Sequence, residues 1–128
     1  MPRTRVDARF AALSRRRADM VSEHFGLAVM MRASNDPLQG PARLGFAVPR
    51  RQLAHAVDRN ALKRVAREAW RQVRWPGVNR PAVALVKLRR ADPAWPGATR
   101  RALKRSWRAE LDALFGRAAA QAARQSRT

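Results

Sequence analysis

Apolar residues recur along this chain with spacings that change from segment to segment, and each spacing predicts an element. In residues 6–17, Val6, Phe10 and Leu13 lie four and then three apart, which makes one face of a short helix anchored by Phe10. In residues 23–32, Phe25, Leu27, Val29 and Met31 alternate with their neighbours as a half-buried strand requires. Residues 34–41 hold Asn35, Asp36, Pro37 and Gly40 and read as a turn. Residues 43–49 alternate again, with Leu44, Phe46 and Val48 on one face and Gly45 and Ala47 on the other, so two neighbouring strands are expected. A helix of about five turns is predicted over residues 56–75, free of Gly and Pro until Pro76 and Gly77 end it, with Asp58 near its start. The short, Val-rich run 82–88 predicts a third and more buried strand, ending in Arg89 and Arg90. Residues 92–97, with two prolines and a glycine, read as loop. Leu103, Trp107, Leu111, Leu114 and Phe115 then mark a last helix over 99–115, with Thr99 as its N-cap. Beyond Gly116 no large apolar residue follows, so the tail is expected to fray.

The 128 residues fit one domain, and the pattern of strands and helices makes it α/β, a sheet packed on helices. We divide the chain into a flexible start (1–5), one folded domain (6–116) and a basic Ala/Arg-rich tail (117–128) expected to be disordered. There is no internal repeat.

Charge sharpens this reading. The chain holds 28 Lys plus Arg against 9 Asp plus Glu, a formal net charge of +19, which points to a polyanion as partner. Only 3 of the basic residues are Lys, and Arg presents a planar fork that meets phosphate oxygens in pairs and stacks on bases. The absence of Cys excludes disulfides and thiolate zinc sites. No apolar run reaches the length of a signal peptide or a membrane span, so cytoplasm is the expected compartment.

The cations are not spread evenly. With about 100° per residue, Leu62, Val65, Ala66, Ala69 and Val73 share one sector of the helix over 56–75, its core face. Arg59, Asn60, Lys63, Arg64, Arg67, Arg71 and Arg74 share another, and no acid lies among them. Like charges four apart repel by a few tenths of a kcal/mol per pair, about 0.2–0.5, so a stripe of six cations is better explained by phosphates that complete it than by a solvated face, which would mix signs. Asn60 could equally serve as a local hydrogen-bonding residue, and Trp70 falls at the edge of the core sector.

Catalysis by the polypeptide has little to support it. Only His24 and His55 exist, the acids are scattered along the sequence, and Glu110 and Asp112 point to different sides of a helix. His24 is read as a surface or packing residue and His55 as part of the loop before the basic helix. No catalytic and no metal-binding residue is assigned.

Arg43-Leu-Gly-Phe-Ala-Val-Pro-Arg-Arg51, followed by Ala56-Val-Asp-Arg-Asn-Ala-Leu-Lys-Arg64 and Arg67-Glu68, resembles the signature of the bacterial ribonuclease P protein family. The resemblance runs from about Val6 through Phe115. It implies an α/β fold with a left-handed βαβ crossover, which sequence periodicity would not have suggested. It also implies that Arg59, Asn60, Lys63, Arg64, Arg67 and Arg71 dock on a catalytic RNA subunit. Phe10 would stand beside a cleft for the 5′ leader of precursor tRNA, and the pairs Arg50–Arg51 and Arg89–Arg90 would meet RNA phosphates. Chemistry would reside in the RNA with magnesium, no cofactor in the protein alone, and no protein partner would be required. Ala61 stands where the family commonly has a third residue Arg, and Ser14 and Ala28 stand where aromatics are common; residues 92–97 lengthen a loop. A ribosomal or nucleoid-type basic protein is the alternative that charge and size leave open.

Overall fold

The computed structural model describes residues 5–32, 42–75 and 80–125, and the side chains from residue 8 onward within them. The turn expected at 34–41 lies outside the described residues. Three helices, α1 (Arg5–Arg15), α2 (Ala56–Gln72) and α3 (Arg100–Gln125), enclose four strands, β1 (Met20–Val21), β2 (Phe25–Met31), β3 (Arg43–Ala47) and β4 (Pro81–Leu88). The strands form one mixed sheet in the order β1-β2-β4-β3, in which β3 and β4 are parallel and the other pairs antiparallel.

The strands read as neighbours, β2 and β3, are therefore not neighbours: β4 lies between them. The physical reason is that β4 is apolar on both faces, with Pro81 to Val86 all buried, and a strand with no polar face belongs at the centre. β3, which begins at exposed Arg43 and contains Gly45, takes the edge.

Pairing register sorts the side chains into two layers. Leu27 opposite Val86 faces the larger core with Leu62 and Ala66 of α2 and Trp107, Leu111 and Phe115 of α3. Ala28 opposite Leu85 faces α1, where Leu13 is fully buried. The sheet is thus covered on both sides, and β2, expected to be half-buried, is buried on both faces from Phe25 to Ala28. Ala28 in place of an aromatic fits that closed position beneath Leu13.

Two further expectations are corrected. Helix α3 runs ten residues beyond Phe115 to Gln125, because Ala119 and Ala122 continue its buried stripe even though no large side chain remains. The loop at 92–97 contains a single 3₁₀ turn, Trp95–Gly97, whose Trp95 is a core residue packed edge-on to Trp107 with ring centroids 5.6 Å apart. Thr99 caps α3 as expected, its Oγ1 accepting from the Ala102 N–H at 3.1 Å.

Candidate nucleic-acid interface

Helix α2 divides as its sequence pattern predicts. Leu62, Ala66 and Ala69 are buried in the core, and Ala61 joins them. Ala61, where the family commonly has Arg, is thus a buried residue and not part of the exposed cation row. On the opposite side Asn60, Arg64, Arg67 and Arg71 are exposed and Lys63 half-buried; α2 ends at Gln72, short of the expected end at 75, because Val73 turns extended, so exposed Arg74 lies beyond the helix.

The stripe is not uniform. Arg59 is half-buried, and its Nη1 donates to the carbonyls of Leu53 and Ala54 at 2.8 and 2.7 Å, so it ties the loop before α2 onto the helix. Arg71 pairs with Glu68 at 3.2 Å. Arg67 lies over the Phe46 ring, 5.1 Å from its centroid, which holds the guanidinium against the sheet edge and leaves its other face outward. Trp70 packs edge-on to Phe115 at 5.1 Å and remains half-buried, so its ring has both a core side and an outward side.

Phe10 occupies the other face of the same edge strand. It is half-buried, and a Cβ built on Gly45 would stand 2.8 Å from its Cε1, so the ring lies directly on the β3 backbone. Gly45 and Phe46 are consecutive. β3 therefore carries the aromatic of α1 on one face and the basic helix on the other, separated by the thickness of one strand.

The two basic pairs meet at one end of the sheet. Because β3 and β4 run parallel with Ala47 opposite Lys87, the chain leaves both strands on the same side, where Arg50, Arg51, Arg89 and Arg90 are all exposed. Gln52 fastens the two loops, its Oε1 accepting from the Ala91 N–H at 2.9 Å. Arg89 also has a local task, since its Nη1 donates to the Ser22 carbonyl at 2.6 Å.

Sequence reasoning missed a groove at the far end of α2. Arg32, Arg43, Arg67, Arg71, Arg74 and Arg80 line a space of about 940 Å³ with Trp70 and Trp75, whose rings are 5.5 Å apart. These residues come from β3, α2 and the segments that follow β2, follow α2 and precede β4, so no local pattern could have gathered them. Also missed was the setting of His24, which is neither a surface residue nor a simple packing residue: it is buried, and its Nδ1 lies 2.6 Å from Glu110 Oε1. Burial alone would raise the Glu110 carboxyl, but hydrogen bonds from the His24 ring, Ser22 Oγ and the His24 backbone N–H outweigh it and hold it below the usual carboxylate range.

The profile of the Ribonuclease P family matches residues 3–118. The chain belongs to the ribonuclease P protein family. Among relatives, it is 42% identical over 92 residues to the ribonuclease P protein component of Bordetella petrii, covering 70% of this chain and 71% of that one. It is 46% identical over 87 residues to that of Bordetella parapertussis, covering 68% and 67%, and 44% identical over 55 residues to that of Vibrio vulnificus, covering 43% and 46%. No solved structure matches the chain. A ribonuclease P protein component is a subunit of an endoribonuclease that is a ribonucleoprotein of tRNA processing, which accounts for the charge excess. No helix among the described residues is long and apolar enough to cross a membrane.

Proposed function

We propose that this polypeptide is the cytoplasmic RNA-binding subunit of ribonuclease P, that α2 docks on the catalytic RNA, and that the α1–β3 surface receives the 5′ leader of precursor tRNA. The observation that carries this reading is the edge strand β3, which sets Phe10 over Gly45 on one face and Arg67 over Phe46 on the other. A leader strand passing α1 would then lie one strand's thickness from the helix that grips the catalytic RNA. Phe10 offers a flat face for a base, and such stacking contributes about 1–3 kcal/mol per base. Lys63, Arg64, Arg67 and Arg71 meet phosphates, while Arg59 both faces that surface and holds the loop leading to it.

In this reading cleavage takes place on the RNA subunit with magnesium ions held by RNA. The docking face of α2 fits that division, since it presents cations and an amide rather than carboxylate ligands. The protein positions the leader and lowers the repulsion between two RNAs, so it matters most where magnesium is scarce.

The test is reconstitution. Protein alone should bind precursor tRNA without cutting it, and adding the cognate RNA subunit with magnesium should give one cut at the mature 5′ end. Shortening the leader to one nucleotide should shrink the preference for precursor over mature tRNA. Specific cleavage by the protein without any RNA subunit would overturn the mechanism, and copurification with ribosomal RNA or bulk DNA instead of a single structured RNA would overturn the assignment of partner.

A further inference from the structure

We infer that Glu23, His24 and Asp92 form a binding site for one zinc-class divalent cation, with Glu110 as the carboxylate that orients the imidazole. The inference is independent of the RNA-binding reading.

Three of the nine carboxylates converge on one buried histidine. His24 Nδ1 meets Glu110 at 2.6 Å, whereas Nε2 reaches Asp92 Oδ2 only at 3.4 Å and Glu23 Oε1 at 3.8 Å. All three candidate ligand atoms lie within 4.8 Å of one another. Ligands about 2.0–2.2 Å from a tetrahedral ion are themselves separated by about 3.3–3.6 Å. Those gaps are long for hydrogen bonds and close to what an ion between the atoms requires.

The arrangement around the site is built rather than incidental. Glu110 Oε1 meets the ring at Nδ1, 2.6 Å away, which turns Nε2 toward two further carboxylates. The His24 side chain is nine-tenths buried, and its backbone is pinned because its carbonyl accepts from the Arg89 and Arg90 N–H groups at 2.8 and 3.3 Å. Trp95 packs on the ring with centroids 4.9 Å apart. Asp92 is oriented too, its Oδ1 accepting from the Ala94 N–H at 2.9 Å while Oδ2 points to the histidine.

Charge makes the same point. In a chain with 28 Lys and Arg, none of those side chains among the described residues lies within ion-pair distance of Glu23, Asp92 or Glu110. Apart from His24, these carboxylates have no basic partner among the described residues, which leaves room for a cation as counter-ion. One imidazole with two carboxylates suits zinc better than magnesium, which prefers oxygen and water ligands in an octahedron. The exposed Glu23 side leaves the fourth position to water. A bound ion would pin the β1–β2 turn to the loop after β4 and so fix Arg89 and Arg90, which lie between two of its ligands in the sequence.

The experiment titrates zinc chloride alone into the full chain, stripped of metal, and follows the heat; cobalt substitution gives a visible absorption band as a second signal. One equivalent should bind. Glu23→Gln combined with Asp92→Asn should weaken binding by about 100-fold or more, and Glu110→Gln by about 10–100-fold. His55→Gln, at the other histidine, should change nothing. Should the double variant lose its fold by circular dichroism, the ¹⁵N resonance of His24 Nε2 in the unmodified protein decides: it should shift on adding zinc. Absence of a saturable equivalent, undiminished affinity in a folded double variant, or an unshifted Nε2 resonance would overturn the site.

Discussion

Gly45 is the residue on which the leader-facing surface depends. A methyl group there would fall 2.8 Å from Phe10 Cε1, well inside contact distance, so ring and strand must separate. We expect Gly45→Ala to cost about 1–3 kcal/mol of stability and to weaken binding of leader-bearing precursor tRNA more than binding of mature tRNA. Equal losses for both substrates in a filter-binding comparison would show that Phe10 has no role in leader recognition. Glu110 is the corresponding residue on the other sheet face. Glu110→Ala removes the acceptor shared by Ser22 Oγ, the His24 N–H and the His24 ring, a loss of about 1–3 kcal/mol for donors left without a partner. Its pH signature has a definite sign. The folded-state pKa lies below the ordinary 4.5, so the unfolded chain binds the proton more readily and stability rises with pH through that window. The Glu110 contribution is therefore present above about pH 4.5 and is lost as pH falls through the lowered value. Denaturant melts in chelator from pH 3 to 7 should show a shallower acid loss in Glu110→Ala than in the parent protein, and parallel curves would remove the argument.

At the scale of elements, α2 carries two separable jobs on opposite faces. Leu62 is 1% exposed, so Leu62→Ala should destabilise the fold by about 2–5 kcal/mol. Arg64 is exposed and has no partner to lose in the core, so Arg64→Ala should move stability by no more than about 0.5 kcal/mol while weakening RNA binding. Thermal melts and RNA titrations of the two variants separate the roles, and an unfolded Arg64→Ala beside a fully stable Leu62→Ala would invert the assignment of faces. Arg59 should fall between them, since its clamp on Leu53 and Ala54 makes it both a structural and an RNA-facing residue.

At the scale of the whole molecule, the basic stripe of α2, the paired arginines at the sheet end and the arginine groove all belong to one domain of net charge +19. Each phosphate neutralised releases condensed counterions, so the logarithm of the RNA affinity should fall linearly with the logarithm of salt. The slope should be about −0.7 to −0.9 per contact, and several contacts are expected. An affinity nearly flat between about 50 and 200 mM salt would exclude a phosphate-dominated interface. Replacing Arg74 and Arg80 together should reduce that slope if the groove at the far end of α2 engages RNA, and leave it unchanged if it does not.

The linear chain determined everything that rests on local periodicity. The division of α2 into Leu62, Ala66 and Ala69 against Arg64, Arg67 and Arg71, the alternation of β3 and the Thr99 cap follow from residues a few positions apart, and they stand in the structure as read. The motif around Arg59 and Asn60 was legible as a family resemblance, carried by short contiguous runs of residues. What only tertiary structure decided is whatever joins distant segments. β4 displaced β2 from β3 because its burial on both faces matters more than nearness in sequence, and α3 continued past Phe115 because alanines too small to mark an apolar stripe still found a surface to cover. The Arg59 clamp needed the loop before α2 to fold back. His24 and Glu110 are 86 residues apart, so their hydrogen bond leaves no periodic trace; only packing β2 against α3, with the loop after β4 alongside, assembles Glu23, His24, Asp92 and Glu110 into one charged cluster.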